Sequence, residues 1–323
     1  MEASGQGFGS TLSCDGTRIR FLTEGKGLPL ILCNGVLCSI GYWIHLEVPM
    51  TPHFQIDYSA FDRPEILMFL FHPRPEPRGA RGGQAPFEEL LIPVEKDVVV
   101  GARLYACGKQ QGATILFFHG NGEIVADYDD LAPLYTERGI HFLPVDYRGY
   151  GLSTGRPTVS SMMKDCHGIF DFVRAKLRER SFSGPLIVMG RSLGSASALE
   201  LAATHGDQID GLIIESGFAF VGPLLELLGI RPETLGIREE QGFRNVDKIR
   251  TFHKPTLVIH AEYDHIIPFS DGQALFEACP ARQKRFLKIP GANHNDIFLR
   301  GMHAYLGAVK DLVDLAARAE EAR

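Results

Sequence analysis

The chain has 323 residues, 45% of them hydrophobic and 22% charged, enough for one large domain or two small ones and too apolar for a disordered or collagen-like polymer. Lys and Arg number 33 against 39 Asp and Glu, a formal charge of −6. No broad basic surface therefore points to nucleic acid or to an anionic membrane, and a small-molecule partner fits better.

The six cysteines, Cys14, Cys33, Cys38, Cys107, Cys166 and Cys279, are too sparse and irregular for a disulfide framework or a zinc site and read as reduced thiols of a cytoplasmic chain. Residues 1–13 lack a basic region followed by an apolar core, and no apolar run nears the roughly 18 residues of a membrane span. The sequence thus predicts neither a secreted nor a membrane-spanning protein.

In chain order, the stretch from Thr11 to Thr23 carries an Asp15-Gly16 turn signal between alternating flanks, and Leu28 to Cys33 is an apolar run ending at Asn34-Gly35. Hairpin, strand and glycine-containing loop repeat in the same order from Leu90 to Gly122. Residues 1–62 therefore look like the opening of a second copy of one fold, too short for its own core. Two explanations stand: a partial duplication packed on the main sheet, or a natural start at Met50 preceded by upstream sequence. Residues 63–86, including the Pro-, Gly- and Arg-rich stretch from Arg74 to Pro86, read as an exposed linker.

The main domain, 87–323, alternates short apolar runs with helical stretches, the pattern of a doubly wound, mostly parallel α/β sheet. Strands are expected at Leu90–Val94, Val98–Ala106, Thr114–His119, Ile140–Asp146, Pro185–Gly190, Gly211–Glu215, Pro255–Ala261 and Arg285–Ile289, the first two antiparallel. Helices are expected at Met162–Arg180, Ser192–His205, Asp271–Ala278 and from about Met302.

The sharpest motif is Gly190-Arg191-Ser192-Leu193-Gly194, between the apolar run Pro185–Met189 and a helical stretch. Strand, sharp turn and helix are what a G-x-S-x-G nucleophile elbow requires, and the helix N-terminus favours developing negative charge. A second match, Gly151-Leu152-Ser153-Thr154-Gly155, lies beyond its strand and lacks that context. A serine nucleophile needs a base oriented by a third group, in the chain order nucleophile, acid, histidine. Asp264 and His294 follow the last two strands and satisfy that order, with Glu215 the competing acid. The turn His119-Gly120-Asn121-Gly122-Glu123 follows an earlier strand, where backbone amides can face an oxyanion. Leu193 supplies one such amide and Asn121 the other, with Gly122 the near alternative; His119 reads as a loop support.

These motifs, with D-Y-R-G-Y-G-x-S at Asp146–Ser153, E-S-G-F at Glu215–Phe218 and G-A-N-H-N-D at Gly291–Asp296, resemble the α/β-hydrolase superfamily from about Pro86 onward. The branch they look like holds protein-depalmitoylating thioesterases and bacterial relatives. The resemblance implies an α/β-hydrolase fold and a cofactor-independent serine mechanism on carboxylic esters or acyl thioesters. The N-terminal cysteine cluster of the eukaryotic depalmitoylases has no counterpart in the first 13 residues, which speaks against a membrane-bound protein substrate.

Only residues 219–254 are available as a lid, so a minimal cap is expected, with Leu224, Leu225 and Leu228 lining an open apolar pocket. Aminopeptidase activity would need an acidic cluster for the substrate amine, and Glu239-Glu240 is the only candidate in the cap. A non-catalytic binding protein on the same fold is the third reading. No H-E-x-x-H, paired-cysteine or G-x-G-x-x-G pattern calls for a metal or dinucleotide. Limited proteolysis separates the two explanations of the front piece: packing on the main sheet predicts resistance equal to that of the domain, and upstream sequence predicts early loss.

Overall fold

The computed structural model describes residues 7–12, 18–23, 32–33, 36–37, 56–77 and 86–321. The chain divides into two units, Met1–Met50 and Thr51–Arg323. In the first, β1 (Gly7–Leu12) pairs antiparallel with β2 (Arg18–Thr23), and β3 (Leu32–Cys33) with β4 (Val36–Leu37). The Asp15-Gly16 turn, the start of the Leu28–Cys33 run, Cys14, Cys38 and linker residues 78–85 lie outside the described residues.

The second unit is built on eight strands: β5 (Glu88–Glu95), β6 (Val98–Leu104), β7 (Ala113–Phe118), β8 (Ile140–Val145), β9 (Leu186–Arg191), β10 (Gly211–Glu215), β11 (Thr256–Ala261) and β12 (Lys284–Ile289). They form one sheet in the order β12-β11-β10-β9-β7-β8-β6-β5. β5 and β6 are antiparallel to each other, β6 is antiparallel to β8, and the remaining pairs are parallel. All eight expected strands are present, with ends within two residues of those read from the sequence.

Residues of β7 alternate between two cores: Leu116 and Phe118 pack on one face of the sheet, Ile115 and Phe117 on the other. Every residue of β7 to β11 is buried, which is why these strands are continuous apolar runs. The edge strand β12 instead carries Lys284, Arg285 and Lys288, charges that discourage pairing with another chain.

The helices are α1 (Pro64–Leu70), α2 (Ala132–Thr136), α3 (Val159–Glu179), α4 (Gly194–Thr204), α5 (Val221–Leu227), α6 (Asn245–Ile249), α7 (Phe269–Ala278) and α8 (Ile297–Glu321). α3 and α4 pack on the face holding Leu116, α8 on the opposite face. α5, α6 and two short 3-10 turns form the cap, small as expected. The chain passes from β7 to β8 on one side and then crosses to β9 on the other, so the carboxyl ends of β7 and β9 face a topological switch point, where open α/β sheets bind ligands.

Residues 58–71 differ from the sequence reading, which placed 58–62 in the front piece and 63–71 in the linker. A 3-10 turn (Tyr58–Phe61) leads into α1, whose Pro64 at the first position fits a helix start. Phe61, Ile66, Leu70 and Phe71 are buried in the main core, so this stretch is packed structure and not exposed connector. Tyr58 is tied down by polar contacts: its hydroxyl donates to Glu200 Oε2 at 3.0 Å and accepts from Lys248 Nζ at 2.9 Å. Lys248, fully buried, also pairs with Glu200 at 2.6 Å.

Burial opposes ionisation of Glu200, but His167 and Lys248 outweigh it and hold its carboxyl down to about 2. A carboxyl whose folded value lies below its unfolded value contributes its full stability above the unfolded value, and loses it as pH falls toward the folded one. Glu200→Gln is therefore expected to cost about 3 kcal/mol at pH 7. Urea unfolding at descending pH checks this: the gap from wild type narrows below about pH 4.5, and a gap independent of pH contradicts the assignment.

Candidate active site

β9 ends at Arg191, and the next residue, Ser192, turns the chain sharply with φ +52° before α4 begins at Gly194. A left-handed serine costs roughly 1–2 kcal/mol, and the turn is held by the Ser192 amide donating to the Glu215 carbonyl at 2.9 Å. Both flanking glycines are required by space. A Cβ on Gly190 would lie 2.3 Å from the Gly194 carbonyl oxygen, and one on Gly194 would lie 2.1 Å from that of Phe118. Ser153, the other motif serine, accepts the Gly101 amide at 2.9 Å and braces β6.

Ser192 Oγ lies 3.0 Å from His294 Nε2, and His294 Nδ1 lies 2.8 Å from Asp264 Oδ2. Asp264 Oδ1 accepts the amides of Ile266 and Ile267 at 3.0 and 2.8 Å. Burial works against a charged Asp264, yet the bond and charge of His294, with these two amides, keep its carboxyl below the ordinary range. That leaves an ionised acceptor on Nδ1 and a free lone pair at Nε2 for the serine proton. Burial lowers the pKa of His260, which donates to the Ile267 carbonyl at 3.0 Å on the far side of Asp264. The competing acid Glu215 is engaged by Tyr305 and Arg191, whereas the imidazole is held by Asp264.

At the end of β7, Gly122 adopts φ +76°, a conformation that suits glycine. Among the described residues, the amides of Asn121 and Leu193 have no protein acceptor. His119 is buried, contacts the Gly120 carbonyl through Nδ1 at 2.8 Å and sits 3.3 Å from Asp146, in keeping with a loop support. Of the cap leucines, Leu225 is fully buried and has no face for an open pocket, while Leu224 and Leu228 are half-buried against the same core.

Beneath the serine lies an ionic cluster that sequence reading missed. Arg191 Nε sits 3.0 Å from Glu123 Oε1 and 3.7 Å from Glu215 Oε1, and its Nη2 donates to the His294 carbonyl at 3.2 Å. Glu123 Oε2 in turn accepts the Gly120 amide at 2.7 Å and the Tyr128 hydroxyl at 2.5 Å, and Tyr305 donates to Glu215 Oε2 at 2.5 Å. Burial raises the Glu215 carboxyl, whereas Arg191 and the surrounding donors outweigh burial at Glu123 and lower it. The available signal was a charged residue closing each of two apolar strands, Arg191 in β9 and Glu215 in β10, and a third, Glu123, in the turn after β7. Among the described residues no group of three or more His, Cys, Asp or Glu is arranged to hold a metal ion, and no helix is long and apolar enough to cross a membrane.

Comparison with known proteins agrees with this architecture. The family model described as serine aminopeptidase, S33, matches residues 109–233. The chain is similar to the alpha/beta hydrolase domain-containing protein 17B of Homo sapiens, with 32% identity over 212 residues, 64% of this chain and 68% of that protein. Similarity to the domain-containing protein aho-3 of Caenorhabditis elegans is 30% over 214 residues, but spans only 59% of that protein's length. Among solved structures, an esterase of Pyrococcus furiosus superposes with a TM-score of 0.61 at 15% identity, covering 76% of this chain and 98% of that one. The esterase Est1E of Butyrivibrio proteoclasticus, solved with ferulic acid, gives 0.59 at 18% identity, covering 71% and 99%. The chain belongs to the α/β-hydrolase superfamily, in the serine-hydrolase branch related to the alpha/beta hydrolase domain-containing 17 proteins.

Proposed function

We propose that the protein is a serine hydrolase that cleaves carboxylic esters or acyl thioesters through an acyl-enzyme, with Ser192 as nucleophile, His294 as base and Asp264 as the group that orients it. The observation that carries this reading is the continuous hydrogen-bonded path from Asp264 through His294 to Ser192 Oγ, with steps of 2.8 and 3.0 Å. It is supported by the structural neighbours, which include an esterase from Pyrococcus furiosus and a monoglyceride lipase from Saccharomyces cerevisiae.

In the first half-reaction His294 Nε2 takes the hydroxyl proton as Ser192 Oγ adds to the acyl carbon. The amides of Leu193 and Asn121, or Gly122 in place of the latter, receive the oxyanion. Collapse breaks the bond to the leaving alcohol or thiol, which carries away the proton held on His294. Water then attacks the acyl-serine ester while His294 takes its proton, the acid departs, and the serine regains its hydrogen. Asp264 stays ionised throughout and stabilises the imidazolium.

A peptidase reading has weaker support. Glu239, half of the acidic pair in the cap, spends its carboxylate on the amides of Val221 and Gly222 at 2.9 Å, capping α5 rather than awaiting a substrate amine. Short or medium acyl chains are the favoured substrates.

Hydrolysis of p-nitrophenyl esters from acetyl to palmitoyl tests the reading. Turnover should show a chain-length optimum and fall by at least about 10³ in Ser192→Ala, with Asp264→Asn lowering kcat on the order of 10³. Ester turnover that survives Ser192→Ala unchanged refutes it.

A further inference from the structure

The outer end of the loop that follows β7 has little of its own to hold it. Its inner end is fixed from below, by Glu123 on the Gly120 amide and by Tyr147 on the His119 carbonyl. Its outer end, Asn121-Gly122, instead meets the segment 71–77 that leaves α1. The His72 amide donates to Asn121 Oδ1 at 2.8 Å, and the Tyr150 hydroxyl donates to the same oxygen at 2.8 Å. With its oxygen turned toward two donors, Asn121 must offer its Nδ2 hydrogens to His72 Nδ1, 2.8 Å away, which fixes that nitrogen as the acceptor. Arg74 Nε donates to the Gly122 carbonyl at 2.8 Å and its guanidinium pairs with Asp127 just beyond.

The segment itself is anchored on both sides. Upstream, Leu70 and Phe71 are buried in the core. Downstream, Arg74 and Glu76 exchange backbone bonds with Gly151 at 2.9 and 3.1 Å, and Glu76 pairs with buried Arg103 at 2.5 Å.

We infer that the segment 71–77 is a strap that holds the oxyanion loop in its donor geometry, with His72 and Arg74 as positioning residues acting on Asn121 and Gly122. This rests on the serine-hydrolase reading above, because the loop needs a fixed geometry only if the Asn121 amide meets an oxyanion. An amide that must receive charge at the moment of reaction is useful in proportion to how little it must reorganise, so loosening it lowers kcat rather than substrate binding. His72 is exposed and the Arg74 side chain is 42% exposed, so both can be replaced without opening the core.

The test compares wild type with His72→Ala, Arg74→Met and His72→Asn, the last of which keeps an acceptor near the position of Nδ1. Hydrogen exchange of the peptide spanning 119–124 is measured alongside p-nitrophenyl ester kinetics and the affinity for a trifluoromethyl ketone. The strap predicts faster exchange in His72→Ala and Arg74→Met, kcat lower by about tenfold with KM within about twofold, a parallel loss of ketone affinity, and recovery of most of it in His72→Asn. Unchanged exchange in both variants overturns the strap, as does faster exchange with kcat and ketone affinity unmoved. Failure of the hydrolase reading has another signature: wild type neither turns over esters nor binds the ketone, and exchange alone then decides whether the strap holds the loop.

Discussion

The site is organised around one guanidinium, that of Arg191, buried between the carboxylates of Glu123 and Glu215. Removing a cation from water costs several kcal/mol, recovered only where opposite charge and hydrogen-bond acceptors surround it closely. Here those partners come from three separate stretches: the loop after β7, the end of β10 and the loop carrying His294. A displacement of any of them exposes an uncompensated charge in the interior. The penalty that makes the pair an unremarkable source of net stability therefore makes it an effective restraint on relative position. One nitrogen, Arg191 Nη1, has no hydrogen-bond partner among the described residues.

That restraint supports a strained turn. Ser192 occupies a left-handed conformation that a serine adopts at a cost, and Gly190 and Gly194 allow backbones to approach where a methyl group would collide. Strain of this kind persists only where surrounding structure over-determines it, and the buried strands β7, β9 and β10 provide that surrounding. The result sets a hydroxyl at a helix N-terminus, next to the Leu193 amide, which has no acceptor among the described residues, and facing an imidazole whose other nitrogen is already engaged. Little remains to be ordered when a substrate arrives.

The sheet was legible in the sequence because its central strands are buried on both faces, so their signal is a short unbroken apolar run bounded by turns. Ser192 and Asp264 were legible for a related reason, each lying just past such a run, and His294 because it follows the last strand in the chain order such a site needs; the structure brings all three within hydrogen-bonding distance. Residues 58–71 were not, since a seven-residue helix beginning at a proline has no periodicity to detect and exists through burial of Ile66 and Leu70. The ionic cluster was hidden differently. Glu123, Arg191 and Glu215 are far apart in sequence, and only the order of the strands places them together. Leu225 looked like pocket lining because a leucine-rich cap segment reads alike whether its side chains face a ligand or the core.

The central claim, that Ser192 is the reacting group in a site whose oxyanion donors are already in place, is tested most directly by the crystal structure of the protein after treatment with a fluorophosphonate. The account predicts one adduct, on Ser192 Oγ, with a phosphonyl oxygen about 3 Å from the amides of Leu193 and Asn121. An adduct on Ser153 or another residue, or one on Ser192 whose phosphonyl oxygen faces neither amide, would contradict it.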